Sequence, residues 1–365
     1  MRLLPIALVL LLVPAGAQAK PIRLGAVFST SGAAAAYGAS QVQGARLAVA
    51  DVNRAGTLER RLTVRMLDDG SDPARATAAF GTLIDGGAAA LLGPTLSGAA
   101  LQADVLAQQR RVPVMGVSNT IDGITEIGRY VFRDSLPEST VQPLTLARVH
   151  AKLGSVRVAI VWATPDAYSQ AAHDVFLGAL GQQGYTLAAD VSFPSADPDA
   201  HRAAVDQAAA AHPDSLIIAA LAPDVARVMT YARTLPALAG VPFIGGNSFN
   251  TPGLAAQAGA AAEGAVAGAA WIASRRTPGN RAFVKAFTAR YGHAPDQFAA
   301  QAYAGVRLIA AAIGRRGASR DAIRRGLAGL RKVPSVLGTF SFTAGREPVY
   351  DPVVVRIAGN GFALL

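Results

Sequence analysis

The chain has 365 residues, 51% of them hydrophobic and 16% charged, and it contains no cysteine. That balance excludes a disordered chain and a disulfide-stapled one, and without a thiol there is no cysteine nucleophile, cysteine metal ligand or lipid-anchoring residue. The formal net charge is +10, but it comes from scattered arginine pairs such as Arg60-Arg61, Arg110-Arg111 and Arg315-Arg316 rather than one basic run interleaved with aromatics, so nucleic acid is not the partner the charge indicates.

The first segment, Met1 to Lys20, reads MRLLPIALVLLLVPAGAQAK. Arg2, the apolar run Leu3 to Val13 and the small-x-small triplet Ala17-Gln18-Ala19 are the parts of a secretory signal peptide, with cleavage expected after Ala19. The run is too short for a mature membrane anchor, and Pro5 and Pro14 bracket it. Removing Arg2 leaves 33 Lys+Arg against 24 Asp+Glu, a net charge of +9. The expected product is exported and soluble, and it is long enough for two cores.

After the leader, short β-rich runs alternate with helical ones. Ile22 to Phe28 predicts a strand, and Val42, Ala45, Val49 and Val52 form a helical apolar stripe. Leu62 to Leu67 predicts a second strand, and Asp72-Pro73 supplies a cap and first-turn proline for a helix running to about Ile84. Strand, helix and strand follow at Ala88 to Leu92, Gly98 to Gln109 and Val112 to Val117. This is βα winding on a parallel sheet, and it begins again after a helix at Ser139 to Lys152, with strands at Val156 to Trp162, Leu187 to Phe193, Ser215 to Ala219 and Val241 to Gly245. Helices at Asn280 to Tyr291, Asp296 to Gly314 and Ser319 to Leu330 precede β-rich runs at Leu337 to Phe342 and Val353 to Ile357, so each of two lobes is discontinuous in sequence.

In open parallel sheets ligands sit beyond the carboxyl ends of the strands. That rule selects the loops Ser29 to Gly38, Gly93 to Ser97 and Ser118 to Thr120, and in the second unit Ala163 to Tyr168, Leu221 to Asp224 and Gly245 to Ser248. The first three are rich in hydroxyls and glycine, which suits a carboxylate. Catalysis has little support: no histidine has metal-ligand spacing with another ligand, and neither a Gly-x-Ser-x-Gly elbow nor a phosphate loop is present, so no cofactor or metal is expected.

Ser31-Gly32, Tyr37-Gly38, Gly44-Ala45 and Asp51-Val52-Asn53, then Asp68-Asp69 with Asp72-Pro73, Gly93 to Ser97 and Val114 to Thr120, succeed one another as in the branched-chain amino-acid-binding proteins. The chain resembles these type I periplasmic binding proteins of ABC importers over nearly its whole mature length. The resemblance implies an α/β fold of two Rossmann-like lobes with parallel sheets joined by a three-segment hinge, with 20–139 and 271–345 in one lobe and 140–270 and 346–365 in the other. It implies binding without chemistry, and membrane permease subunits as partners.

Carried across, Ser97 and Thr120 match carboxylate-holding positions, with the backbone of Ser118 and with Asn119 beside them, while Tyr37 and Tyr168 match aromatic positions at the cleft rim. The acidic partner of a ligand ammonium falls on Asn247, and a cleft tyrosine falls on Leu221. A buried ammonium without a carboxylate is disfavoured. The expected ligand is therefore a non-amino or aromatic acid ahead of an amino acid, with Asp122, Asp166 or Asp224 as substitute partners if an amine is bound. The alternatives are a periplasmic sensing domain for acids or amides that signals to a membrane receptor and, behind it, a secreted hydrolase.

Overall fold

The computed structural model describes residues 20–365, and the expected leader, with its cleavage site, lies outside them. Strand β1 (Ile22–Phe28) leads into helix α1 (Ala35–Ala55), followed by β2 (Leu62–Asp68), α2 (Pro73–Asp85), β3 (Ala90–Leu92), α3 (Ser97–Gln109), β4 (Val114–Gly116) and β5 (Val131–Arg133). These strands form one all-parallel sheet in the order β2-β1-β3-β4-β5. Every residue of β3, β4 and β5 is buried, because helices cover both faces of the sheet; β3 and β4 are apolar throughout, and Arg133 at the end of β5 is paired with Glu347. At α2, Asp72 accepts the Arg75 N–H and Pro73 opens the first turn, as the sequence predicts.

Helix α4 (Glu138–Leu153) carries the chain to the second sheet. There follow β6 (Arg157–Thr164), α5 (Ala167–Leu180), β7 (Thr186–Pro194), α6 (Ala200–Ala210), β8 (Ser215–Ala219), α7 (Ala222–Ala232), β9 (Phe243–Gly245), α8 (Pro252–Ala258) and β10 (Val266–Ala269). Helices α9 (Asn280–Tyr291), α10 (Gln297–Arg316) and α11 (Arg320–Ala328) return to the first sheet, where Phe283, Ile309 and Ile323 share a core with Ile22, Leu24 and Phe28. The approach of α10 to α1 is close enough that a Cβ on Gly44 would lie 2.1 Å from the Ala299 carbonyl oxygen, so only glycine fits there.

The last strands are β11 (Val333–Ser335), β12 (Gly338–Phe342), β13 (Pro348–Val349), β14 (Val353–Ala358) and β15 (Gly361–Leu364). The first three make a small antiparallel sheet, while β14 and β15 join the second sheet, whose order is β15-β14-β10-β9-β8-β6-β7. The two α/β lobes built on parallel sheets are as expected, with one refinement: β14 runs antiparallel to β10 and turns directly into β15, so the second sheet is mixed. The short turn between β14 and β15 can join strands only in the antiparallel sense. The short elements β5, α8, β10, β11, β13 and β15 have too few residues for periodicity to reveal them. Among the described residues no helix is long and apolar enough to cross a membrane.

Candidate functional site

A narrow slot of about 20 Å³, within a recess of about 270 Å³ that includes its open mouth, lies between the carboxyl ends of the two sheets, lined from one side by Tyr37, Thr95, Leu96, Ser97, Ser118 and Phe298 and from the other by Tyr168, Leu221, Asn247 and Ser248. Six of the eight residues singled out in the sequence line it. Asn119 and Thr120 do not. Asn119 is fully buried and turned into the first lobe, its Nδ2 donating to the Pro94 carbonyl at 3.0 Å, so its role is to hold the β3–α3 loop. Thr120 stands just behind the slot.

The hydroxyl-rich wall is built by the turn from β3 into α3. Ser97 is the first residue of α3 rather than its cap, and no side chain caps the helix, so its first N–H groups face the slot's end unpaired by any capping oxygen. Ser97 Oγ accepts the Thr120 N–H at 3.2 Å, which leaves its own proton free to donate. The Ser118 hydroxyl is committed: it donates to the Thr95 carbonyl at 2.6 Å and accepts from Gln41 Nε2 at 2.7 Å, while Gln41 Oε1 accepts from Thr95 Oγ1 at 2.6 Å. This buried network fixes the wall, and Ser118 offers the slot its backbone and Cβ rather than its proton.

Both tyrosines reach the same short turn after β9. The Tyr37 hydroxyl accepts the Ala222 N–H at 2.7 Å and donates to the Ser248 carbonyl at 3.2 Å, bridging the lobes. The Tyr168 hydroxyl accepts the Ser248 N–H at 3.0 Å and lies 3.3 Å from Ser248 Oγ. Burial pushes both phenols well above the ordinary tyrosine range, so both are neutral donors. Tyr37 packs on Phe298 with ring centroids 4.6 Å apart, and with Leu96 and Leu221 these rings give the slot its apolar walls.

Asn247 is held by Gln297, whose Nε2 donates to Asn247 Oδ1 while its Oε1 accepts the Ala270 N–H at 2.6 Å. The substitute acids named from the sequence are all engaged elsewhere: Asp122 accepts from Ser139 Oγ, Asp166 caps α5 through the Ser169 N–H, and Asp224 pairs with Arg227.

Sequence reasoning missed Glu138. It begins α4 at the passage between the lobes, it is 2% exposed, and a Cβ placed on Gly246 would come within 2.9 Å of both Glu138 Oε2 and the Tyr168 hydroxyl. Burial raises its pKa; Gln142, the Thr120 hydroxyl and the Asn247 N–H pull it partly back. Glu138 Oε2 accepts from Gln142 Nε2, and the Thr120 hydroxyl, which has no other partner, is the donor beside this carboxylate. Its position at a predicted helix start gave no signal, since an acid in a first turn is ordinary there. Thr95, Leu96, Ser248 and Phe298 were also missed; the first three lie within loops the sequence did select, and Phe298 arrives from a helix far along the chain.

Two α/β lobes face each other across a slot with a helix N-terminus and hydroxyls at one end, an arrangement suited to holding a small polar solute, and among the described residues no group of acidic or histidine side chains is placed to hold a metal. The family model for periplasmic binding proteins matches residues 21–361, and the chain belongs to that family. The Leu/Ile/Val-binding protein BraC3 of Rhizobium johnstonii is 25% identical over 338 residues, covering 88% of this chain and 87% of that protein. The branched-chain amino acid transporter substrate-binding protein LivJ of Streptococcus pneumoniae, solved with isoleucine, is 26% identical with a TM-score of 0.86, covering 94% of this chain and 98% of that one. A solute-binding protein of an R. palustris ABC transporter, solved with benzoate, superposes with a TM-score of 0.84 at 24% identity, covering 95% and 96%. This chain is thus a substrate-binding protein of the ABC transporter type.

Proposed function

We propose that the protein is an exported, soluble component of an importer, cleaved after Ala19, that closes its lobes over a small apolar α-amino acid and presents it to membrane permease subunits. In this reading the lobes are 20–139 with 271–345 and 140–270 with 346–365. Ser97 and the N-terminus of α3 hold the ligand carboxylate, Thr120 assists from behind, and the tyrosines, Leu96, Leu221 and Phe298 enclose the side chain.

The observation that carries the amino-acid assignment is Glu138 itself, a buried acid set against Gly246, the Tyr168 hydroxyl and the Thr120 hydroxyl. A buried carboxylate without a cationic partner favours a cationic donor, and a ligand ammonium meets that need. The preference for a non-amino acid rested on the neutral Asn247, and Glu138 supports the amino acid instead. Likeness to proteins whose names specify leucine, isoleucine and valine supports the same choice. The second reading, an aromatic or other non-amino acid, is favoured by the neutral Asn247 and by the ring-lined walls.

Calorimetric titration of the mature protein with leucine, its deaminated analogue 4-methylpentanoate and benzoate tests the assignment. Leucine should bind at least tenfold tighter than the other two. Tighter binding of 4-methylpentanoate or benzoate would reject it in favour of the second reading, and steady turnover of a bound compound would reject binding as the function.

A further inference from the structure

Behind the slot lies a second, larger cavity with about 990 Å³ of empty space including its mouth. Its walls come from both sheets' connections: Pro252 and Phe362 from one side, Pro295 and Gln297 from the other, and Trp271 on the strand of chain that passes between them. Gln297, on the cavity wall, also bonds Asn247, on the slot wall, so this side-chain pair links the two spaces. The walls are mainly apolar, but Asn250 lines them too, 2% exposed, with its Nδ2 held by the Gly268 carbonyl at 2.8 Å and its Oδ1 without any partner. The other buried polar groups there are occupied: Asp296 accepts the Ala299 N–H and the Ser40 hydroxyl, and the Trp271 indole donates to Asn280.

We propose that this cavity is a second ligand site, for a compact apolar molecule that carries one hydrogen-bond donor to meet Asn250 Oδ1. A largely apolar cleft, open at its mouth and lined also by His293 and Asn360, with an unmet buried acceptor on its wall has the make-up of a small-molecule site, and such an acceptor discriminates for ligands that bring a donor. Both lobes wall the cavity, and its shape here coexists with the Tyr37–Ser248 bridge across the cleft. A molecule that fits this shape therefore favours the closed form and tightens the slot's own ligand, by linkage.

Trp271 is the reporter, since Trp162 is the only other tryptophan and Trp162→Phe removes it. In that background, fluorescence excited at the tryptophan edge is titrated with benzyl alcohol and with toluene, which lacks the donor. Benzyl alcohol should give a saturable change with at least tenfold higher affinity than toluene, Ala273→Phe at the cavity wall should abolish it, and small-angle scattering should show a smaller radius of gyration at saturation. Thr120→Ala should leave the benzyl alcohol response unchanged, so failure of the cleft assignment is separable from failure here. A linear, unsaturable response, equal affinities for the two probes, or an unaltered response in Ala273→Phe would overturn the site; saturation without compaction would overturn its link to closure.

Discussion

The hydroxyl of Tyr37, on the first helix of one lobe, donates to the carbonyl of Ser248 in the other lobe, 211 residues further along the chain. The same oxygen accepts the N–H of Ala222, so one phenol ties α1 to two separate turns of the opposite lobe. Tyr37→Phe keeps the ring on Phe298 but leaves a buried donor and a buried acceptor unmet in the closed form only. The closed form should lose about 1–3 kcal/mol, and ligand affinity should fall by roughly tenfold to a hundredfold. Calorimetry reads the affinity, and scattering on the ligand-saturated protein reads the population of closed molecules; unchanged affinity would show that the bridge is incidental to closure.

Removing hydroxyls at the carboxylate end should weaken every acid alike. Ser97→Ala deletes the free donor at the start of α3 and the acceptor of the Thr120 N–H, and Thr120→Ala deletes the hydroxyl behind it. Each should cost about 1.5–3 kcal/mol of binding, the range for a hydrogen bond to a charged group; without ligand, Thr120→Ala should change thermal stability little, whereas Ser97→Ala should also lower it by about 1–3 kcal/mol because the buried Thr120 N–H loses its acceptor. Equal binding of leucine by wild type and both variants would place the carboxylate elsewhere.

Glu138 makes binding pH-dependent. Burial holds its pKa above the ordinary carboxylate value in the free protein, and a neighbouring ammonium lowers it, so leucine binding should release protons and strengthen as pH rises from the lowered bound-state value through the raised free one. Glu138→Gln should abolish the proton release and weaken leucine by about 2–3 kcal/mol while leaving 4-methylpentanoate nearly unaffected. Titrations in buffers of different ionisation enthalpy measure the proton count directly; no release in wild type would sever Glu138 from the ammonium.

Asp104, on the buried face of α3, has neither carboxylate oxygen hydrogen-bonded, and burial raises its pKa well above the ordinary value. An acid whose folded pKa is raised contributes stability that is fully present below the unfolded value, about 3.9, and is lost as pH climbs through the folded one. Asp104→Asn removes that titration. The variant should match or trail wild type at pH 4 and exceed it in melting temperature at pH 7. Parallel pH–stability curves for the two proteins would show that Asp104 is ionised or hydrated in the fold.

Periodicity and punctuation carried the sequence reading far. The apolar stripe Val42-Ala45-Val49-Val52 and the Asp72-Pro73 start identified α1 and α2 because both signals are local, depending only on residues within one or two helical turns. The carboxyl-end rule then selected the loops bearing Tyr37, Ser97, Ser118, Tyr168, Leu221 and Asn247, since βα winding leaves those turns on one side of the sheet whatever the side chains are. Loop identity, however, does not fix which way a side chain points. Asn119 sits in the selected loop yet turns inward to Pro94, and Ser118 spends its proton on Thr95, because buried polar groups take the partner that packing brings nearest.

What the sequence by itself determined was the order of elements, the discontinuous lobes and the hydroxyl-rich end of the slot, all of which follow from short-range pattern. Only the tertiary structure decided that α4 begins with its acid against Gly246 and Tyr168, that Gln297 reaches Asn247 across 50 residues, and that β14 returns antiparallel to a parallel sheet. Those relationships join residues that are distant in the chain. Their energies depend on burial, and burial is a property of the closed lobes that no local window of sequence contains.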